Sequence, residues 1–328
     1  MGENKIRLNY LDMSKGFGIL LVIAGHIYER NSFAEVWIYS FHMPLFFIIS
    51  GMLLNYSNIN DNMINIIKKK IKSIILPYFT FEIVAIIIYL IESNLFTLEA
   101  IRWSVIDCIL VYYCRAGATW FLPCLFVAEI LFVVLKKYIK NDKIIVIISL
   151  GLYIISLIIN TEKHFLILLL KSLNGLGFIM FGYYMLNYIQ ERKINKIYLG
   201  VLFILSIILA KLNGEVVLNE LKFNNIFLYT VTSIIGSMLI IFIFKNIKYN
   251  KFLIYFGKNS LIIMATHLII QRYFIDIITG INRYDYFEGT IVFIIAVIIQ
   301  IPIIEIINKY LPFMIGKCTK KNTQTITD

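Results

Sequence analysis

Four side chains with reactive or ionisable groups stand inside long apolar runs: Lys15 and His26 in one run, His42 in the next and Glu129 in a later one. Ionisable groups in such segments are costly to bury, so they mark functional sites or fixed partners. Lys15 and His26 are eleven residues apart. At about 100° per residue that is three turns plus roughly 20°, so the two share a helix face, about 16 Å apart along the axis. An imidazole there can take a proton near neutral pH. The competing reading has Lys15 snorkelling to headgroups and His26 hydrogen-bonding a neighbouring helix.

The other ionisable groups fall into a pattern around this pair. His42 lies in Ser40-Phe41-His42-Met43-Pro44-Leu45-Phe46-Phe47, at a depth comparable with His26, and His267 ends the run that follows Gly257-Lys258-Asn259-Ser260. Three of the four histidines therefore fall at one level, with His164 in a loop; interhelical hydrogen bonding or interfacial anchoring would also account for His42 and His267. Trp120 opens another run as Trp120-Phe121-Leu122-Pro123, where an aromatic belt residue is ordinary. Glu129 follows about 13 Å deeper by helix rise. A buried carboxylate either pairs with a cation or stays protonated, and Lys171 is expected to pair with Glu82, Glu129 or Glu305. The four cysteines have no metal or redox spacing, and no phosphate-binding loop, dinucleotide fingerprint or zinc motif occurs.

These residues must be held by membrane helices. Of the 328 residues, 59% are hydrophobic and 16% charged, and the mean hydropathy is +0.80. Soluble domains carry roughly 25% charged residues, so this chain needs lipid to cover its apolar surface. A span takes about 20 apolar residues and at least about 17. Ten such stretches are predicted, at about 12–29, 36–54, 74–91, 119–135, 144–160, 165–187, 197–211, 226–244, 255–275 and 289–308. Residues 101–114 are short and carry Arg102 and Asp107, and read as a re-entrant or interfacial piece. The first apolar run ends in Gly25-His26, not in a small-x-small cleavage pattern, so it is expected to remain as the first helix.

The net charge of +11 would suggest nucleic acid in a soluble protein. Here the basic residues sit in short runs between apolar stretches, which sets orientation and gives no reason to expect a nucleic-acid partner. Alternate loops hold 22 Lys and Arg on one side against 8 on the other. The richer side includes Lys5, Arg7, Lys68 to Lys72, Lys193, Lys320 and Lys321. This bias predicts an all-α, polytopic protein of about ten transmembrane helices with both termini cytoplasmic. The embedded domain is expected over residues 1–312, with a short basic and polar cytoplasmic tail at 313–328.

Taken in order, the motifs resemble the acyltransferase-3 family of membrane acyltransferases. They are Lys15 and His26, then Phe41 to Phe47 with Ser50-Gly51, and the basic run Lys68 to Lys72 before Pro77-Tyr78. Trp120-Phe121-Leu122-Pro123 and Gly257-Lys258-Asn259-Ser260 before His267 complete the series. The resemblance covers roughly residues 7 to 310 and is nearest to the fucose 4-O-acetylase-like sugar O-acetyltransferases. It departs where many relatives carry Arg and this chain carries Lys15. It implies transfer of an acyl group, usually acetyl from cytoplasmic acetyl-CoA, to a hydroxyl of a glycan or lipid-linked sugar at the cell membrane. On that basis His26, His42 and Glu129 are the expected catalytic residues. Lys15, Lys70, Lys72 and Trp120 are expected to bind the coenzyme, its phosphates calling for fixed cations; no metal is expected. A transporter or flippase for a lipid-linked sugar or organic ion, with the same groups as coupling sites, is the alternative.

Overall fold

The computed structural model describes residues 8–161, 163–192, 194–272, 280 and 283–317. Lys5, Arg7, Lys193, Cys318, Lys320, Lys321, the end of the span expected at 255–275 and most of the expected tail lie outside the described residues. The helices in chain order are α1 (Asn9–Ile27), α2 (Phe33–Tyr39), α3 (His42–Leu54), α4 (Met63–Lys70), α5 (Leu76–Ser93), α6 (Leu98–Leu110) and α7 (Phe121–Tyr138). They continue as α8 (Asp142–Ile158), α9 (His164–Glu191), α10 (Lys196–Asn213), α11 (Ile226–Asn246), α12 (Lys251–Lys258), α13 (Ser260–Ile270) and α14 (Tyr286–Tyr310). A two-stranded antiparallel hairpin, β1 (Val216–Val217) and β2 (Lys222–Phe223), links α10 to α11.

The chain is a helical, multi-pass membrane protein. Among the described residues eight helical segments are long and apolar enough to cross a bilayer, and α12 with α13 makes a ninth if that bent pair is one span. The stretch expected at 144–160 forms α8, whose 17 residues are about the minimum for a crossing. The piece expected at 101–114 forms α6, whose 13 residues are too few.

Packing explains how so apolar a chain is organised. α3 is buried on nearly every side, as a helix apolar all round should be. It crosses α9 backbone to backbone: a Cβ on Gly51 would strike the Ile179 carbonyl oxygen, and one on Gly182 that of Ile48. Without a hydrophobic force between helices in lipid, such close approach is what holds them. α10, by contrast, turns most of its apolar residues outward, as a helix facing lipid would.

Two breaks in helix geometry have identifiable causes. Between α4 and α5, residues Ile71–Ile75 form a π-helical turn just before Pro77. Pro77 has no N–H and its ring crowds the carbonyl four residues back, and one widened turn relieves both. Between α12 and α13 the chain bends by 80° at Asn259. The Asn259 amide nitrogen donates to the Tyr255 carbonyl (2.9 Å), and its amide oxygen accepts from Asn308 of α14 (2.8 Å). The Asn259 backbone N–H also donates to the Tyr255 and Phe256 carbonyls, so backbone and side chain together satisfy the helix end at the bend. Beyond α14, the residues Pro312–Ile315 make a 3-10 turn on α5, where Thr80 Oγ1 donates to the Met314 carbonyl (3.0 Å). The start of the expected tail is therefore packed.

Candidate active site

The bend at Asn259 turns α13 so that His267 meets His26, with ring centroids 5.3 Å apart. α1 itself is held against α12 through Gly16 and Gly257: a Cβ on Gly16 would strike the Leu253 carbonyl, and one on Gly257 that of Asp12. The motif Gly257 to Ser260 is therefore explained as contact and hinge. Tyr39, at the end of α2, joins the histidines: its hydroxyl lies 3.2 Å from His26 Nδ1, and its ring is 4.9 Å from that of His42.

His42 and His267 each donate from Nδ1 to the carbonyl four residues back, Ile38 at 2.9 Å and Ile263 at 2.8 Å. Nδ1 is thus the protonated nitrogen of both, and Nε2 remains an acceptor. His267 Nε2 is buried without a partner among the described residues. The bonds are within the histidines' own helical turns, where interhelical bonds were one expectation.

The end of α1 that carries His26 is capped from all sides. Tyr28 N–H donates to the Ala24 carbonyl, and the Gly25 and Tyr28 carbonyls accept from Arg283 at 2.8 and 2.7 Å. Gln271 donates to the His26 carbonyl (2.8 Å), and Tyr284 N–H to that of Ile27 (3.0 Å). The carbonyls left over by the helix thus all find donors. Arg283 also lies 3.6 Å from Glu35, whose other oxygen accepts from Asn31 N–H at 2.6 Å. This ties α2, which carries Tyr39, to the same guanidinium.

His26 lines two cavities, of about 470 Å³ and 500 Å³. The first lies under the hairpin and is lined also by Tyr39, His42, Trp120 and Glu220; the second is lined by Tyr113, Cys114, Arg115 and Gln271. Gly117, Leu268 and Arg283 border both. Gly117 has φ +79°, and a Cβ there would strike Leu268, so the loop between α6 and α7 needs glycine at this point. Glu82 of α5, fully buried, fixes that loop: it accepts from the N–H groups of Arg115 (2.8 Å) and Ala116 (3.3 Å) and from the Thr119 hydroxyl. His26 is thus reachable from two spaces.

The remaining expected site residues lie apart from this one. Glu129 borders neither cavity. It pairs with Lys70 across from the π turn (2.7 Å) and accepts from Ser50. Lys15 pairs with Asp12 one turn before it (2.9 Å), and Lys72 is exposed. An anion bound by Lys15 or Lys70 would have to compete with those carboxylates. Trp120 is at the His26 level, with the Lys171 ammonium 5.0 Å from its ring.

One expectation is corrected. Lys171 pairs with none of Glu82, Glu129 and Glu305; it donates to Asn219 of the hairpin turn (2.8 Å). Each carboxylate has another partner: Glu82 the loop, Glu129 Lys70, and Glu305 the Tyr255 hydroxyl (2.7 Å). Tyr39, Arg283, Gln271 and Glu82's role in the loop escaped the sequence reading. Tyr39 left a signal, standing three residues before His42, and so did Glu82, an ionisable group within an apolar run.

The family model described as an acyltransferase domain matches residues 8–307. No curated protein and no solved structure matches the chain.

Proposed function

Since the chain belongs to the acyltransferase-3 family of membrane acyltransferases, we propose that it is an O-acetyltransferase of the fucose 4-O-acetylase-like kind. It would move an acyl group from cytoplasmic acetyl-CoA to a hydroxyl of a cell-surface glycan or lipid-linked sugar, in the cell membrane. The observation that carries this reading is His26 on the border of two cavities, with Tyr39 on its Nδ1. The residues 1–312 act as a single catalytic unit, with ten spans and both termini in the cytoplasm.

In this mechanism His26 holds its proton on Nδ1 and donates it to Tyr39, which leaves Nε2 as the base. The acceptor hydroxyl gives its proton to Nε2 as its oxygen attacks the thioester carbonyl. The carbon–sulfur bond then breaks, and the imidazolium returns the proton to the departing thiolate. The same nitrogen could attack the thioester first and carry the acyl group to the hydroxyl. His42 borders the same cavity and is assigned to orient the acceptor. Lys15 and Lys70 would take the coenzyme phosphates by exchanging carboxylate partners, the exposed Lys72 would join them, and Trp120 would flank the acyl end. Glu129 then serves by holding Lys70 until the coenzyme arrives.

Membranes containing the protein, given acetyl-CoA labelled in the acetyl group, are expected to place label on a surface glycan or lipid-linked sugar. Movement of an unmodified sugar lipid across the membrane, with no label transferred, would overturn the reading in favour of a transporter.

A further inference from the structure

The hairpin between α10 and α11 is more than a cover for the His26 cavity. On its far side runs a second space of about 700 Å³, between the hairpin and the turn that joins α8 to α9. Glu215, Glu220 and Lys222 line both this trough and the His26 cavity. The two spaces therefore meet over the rim of the hairpin, and an elongated molecule can occupy both.

The trough sets polar side chains beside apolar surface. Asn160 and Thr161 stand on one wall beside the apolar end of α8, Glu215, Glu220 and Lys222 on the other, and Leu221, Phe223 and Ile226 add apolar surface, so that about half of the lining is apolar. Sugar rings offer hydroxyls at their edges and C–H groups on their faces, so they need carboxylate and amide partners beside apolar contact. The Asn160 amide and the Glu215 carboxylate make no hydrogen bond to other described residues, so both are open to a ligand. The hairpin wall is held independently: Lys222 pairs with Glu220, Asn219 accepts from Lys171, and Asn224 donates to the Asn213 carbonyl (2.7 Å).

We propose that the acceptor is an extended glycan, with one sugar against His26 and the next units in the trough between the hairpin and the α8–α9 turn. The proposal rests on the acetyltransferase reading for what happens at His26, but the trough can be tested without catalysis. End-labelled mono-, di- and tetrasaccharide fragments cut from the host's own surface polysaccharide serve as probes. Their binding to the purified full chain in nanodiscs is measured without acyl donor, and acetyl transfer is measured separately.

The tetrasaccharide is expected to bind at least about tenfold more tightly than the monosaccharide, the worth of two or three hydrogen bonds. The double variant Asn160→Ala, Thr161→Ala, which also removes the Thr161 hydroxyl that accepts from Lys163 N–H, is expected to keep the wild-type unfolding midpoint and to bring the tetrasaccharide down toward the monosaccharide. Length-independent binding, an unaffected double variant, or displacement of the tetrasaccharide by a short-chain phospholipid would each overturn the proposal. Length-dependent binding with no acetyl transfer would uphold the trough and overturn the transferase reading instead.

Discussion

His26 is the residue on which the proposed chemistry turns. General-base catalysis contributes about 10²–10⁴-fold, so His26→Gln is expected to lose acetyl transfer by about that factor while the protein still inserts. Glutamine keeps hydrogen-bonding capacity but takes no proton near neutral pH. A well-expressed His26→Gln variant with normal turnover would remove His26 from the mechanism. Tyr39 acts one step removed, as a positioning residue through Nδ1. One neutral hydrogen bond is worth about 0.5–1.5 kcal/mol, so Tyr39→Phe should lower kcat about 2- to 12-fold and leave the KM for acyl-CoA unchanged. A change in KM alone would mean that Tyr39 only shapes the cavity.

At the scale of elements, the site depends on two crossings that set its parts side by side. α1 brings His26, and α12 with its bend at Asn259 brings His267. Between α1 and α12 the only side chains at the contact point are the hydrogens of Gly16 and Gly257, each against the opposing backbone. Backbone cannot rotate away, so Gly257→Val should destabilise the fold by about 1–3 kcal/mol or more. The measurement is the thermal unfolding midpoint in detergent, where a clear fall is expected. Gly200→Ala on the exposed face of α10 has nothing within 4 Å of the new methyl and should leave the midpoint unchanged or slightly raised. Equal midpoints for Gly257→Val and wild type would show that the α1–α12 contact is looser than described.

For the whole molecule, the proposed ten spans give a topology that can be read directly. Reporter fusions after Lys72, Lys143, Lys196, Lys258 and the C-terminus are all expected to signal cytoplasmic, because Lys and Arg hold short loops on that side. External signals from two of these would break the ten-span arrangement. The same orientation puts the hairpin, the trough and the His26 end of α1 on the outer side, where an acceptor glycan would be met.

Hydropathy and charge along the chain carry the class and most of the helices. Among the described residues the ten apolar stretches are helical, eight as single helices, 36–54 as α2 and α3 and 255–272 as the bent pair α12 and α13, because in lipid a segment of that length and composition has no other way to satisfy its backbone. The motifs around Lys15, His26, His42 and Trp120 were enough to identify the family that the whole-chain match shows. What the tertiary structure decided is which polar groups meet. Composition gives each carboxylate several possible cations. Only the π turn before Pro77 brings Lys70 to Glu129, and only the hairpin turn brings Asn219 to Lys171. Tyr39 reaches His26 because α2 breaks at Ser40, and Arg283 reaches the Gly25 and Tyr28 carbonyls because the loop before α14 caps α1. These are contacts between segments far apart in the chain. Their partners are fixed by crossing geometry and by the close approach of glycines, and hydropathy and spacing along a single helix do not encode either.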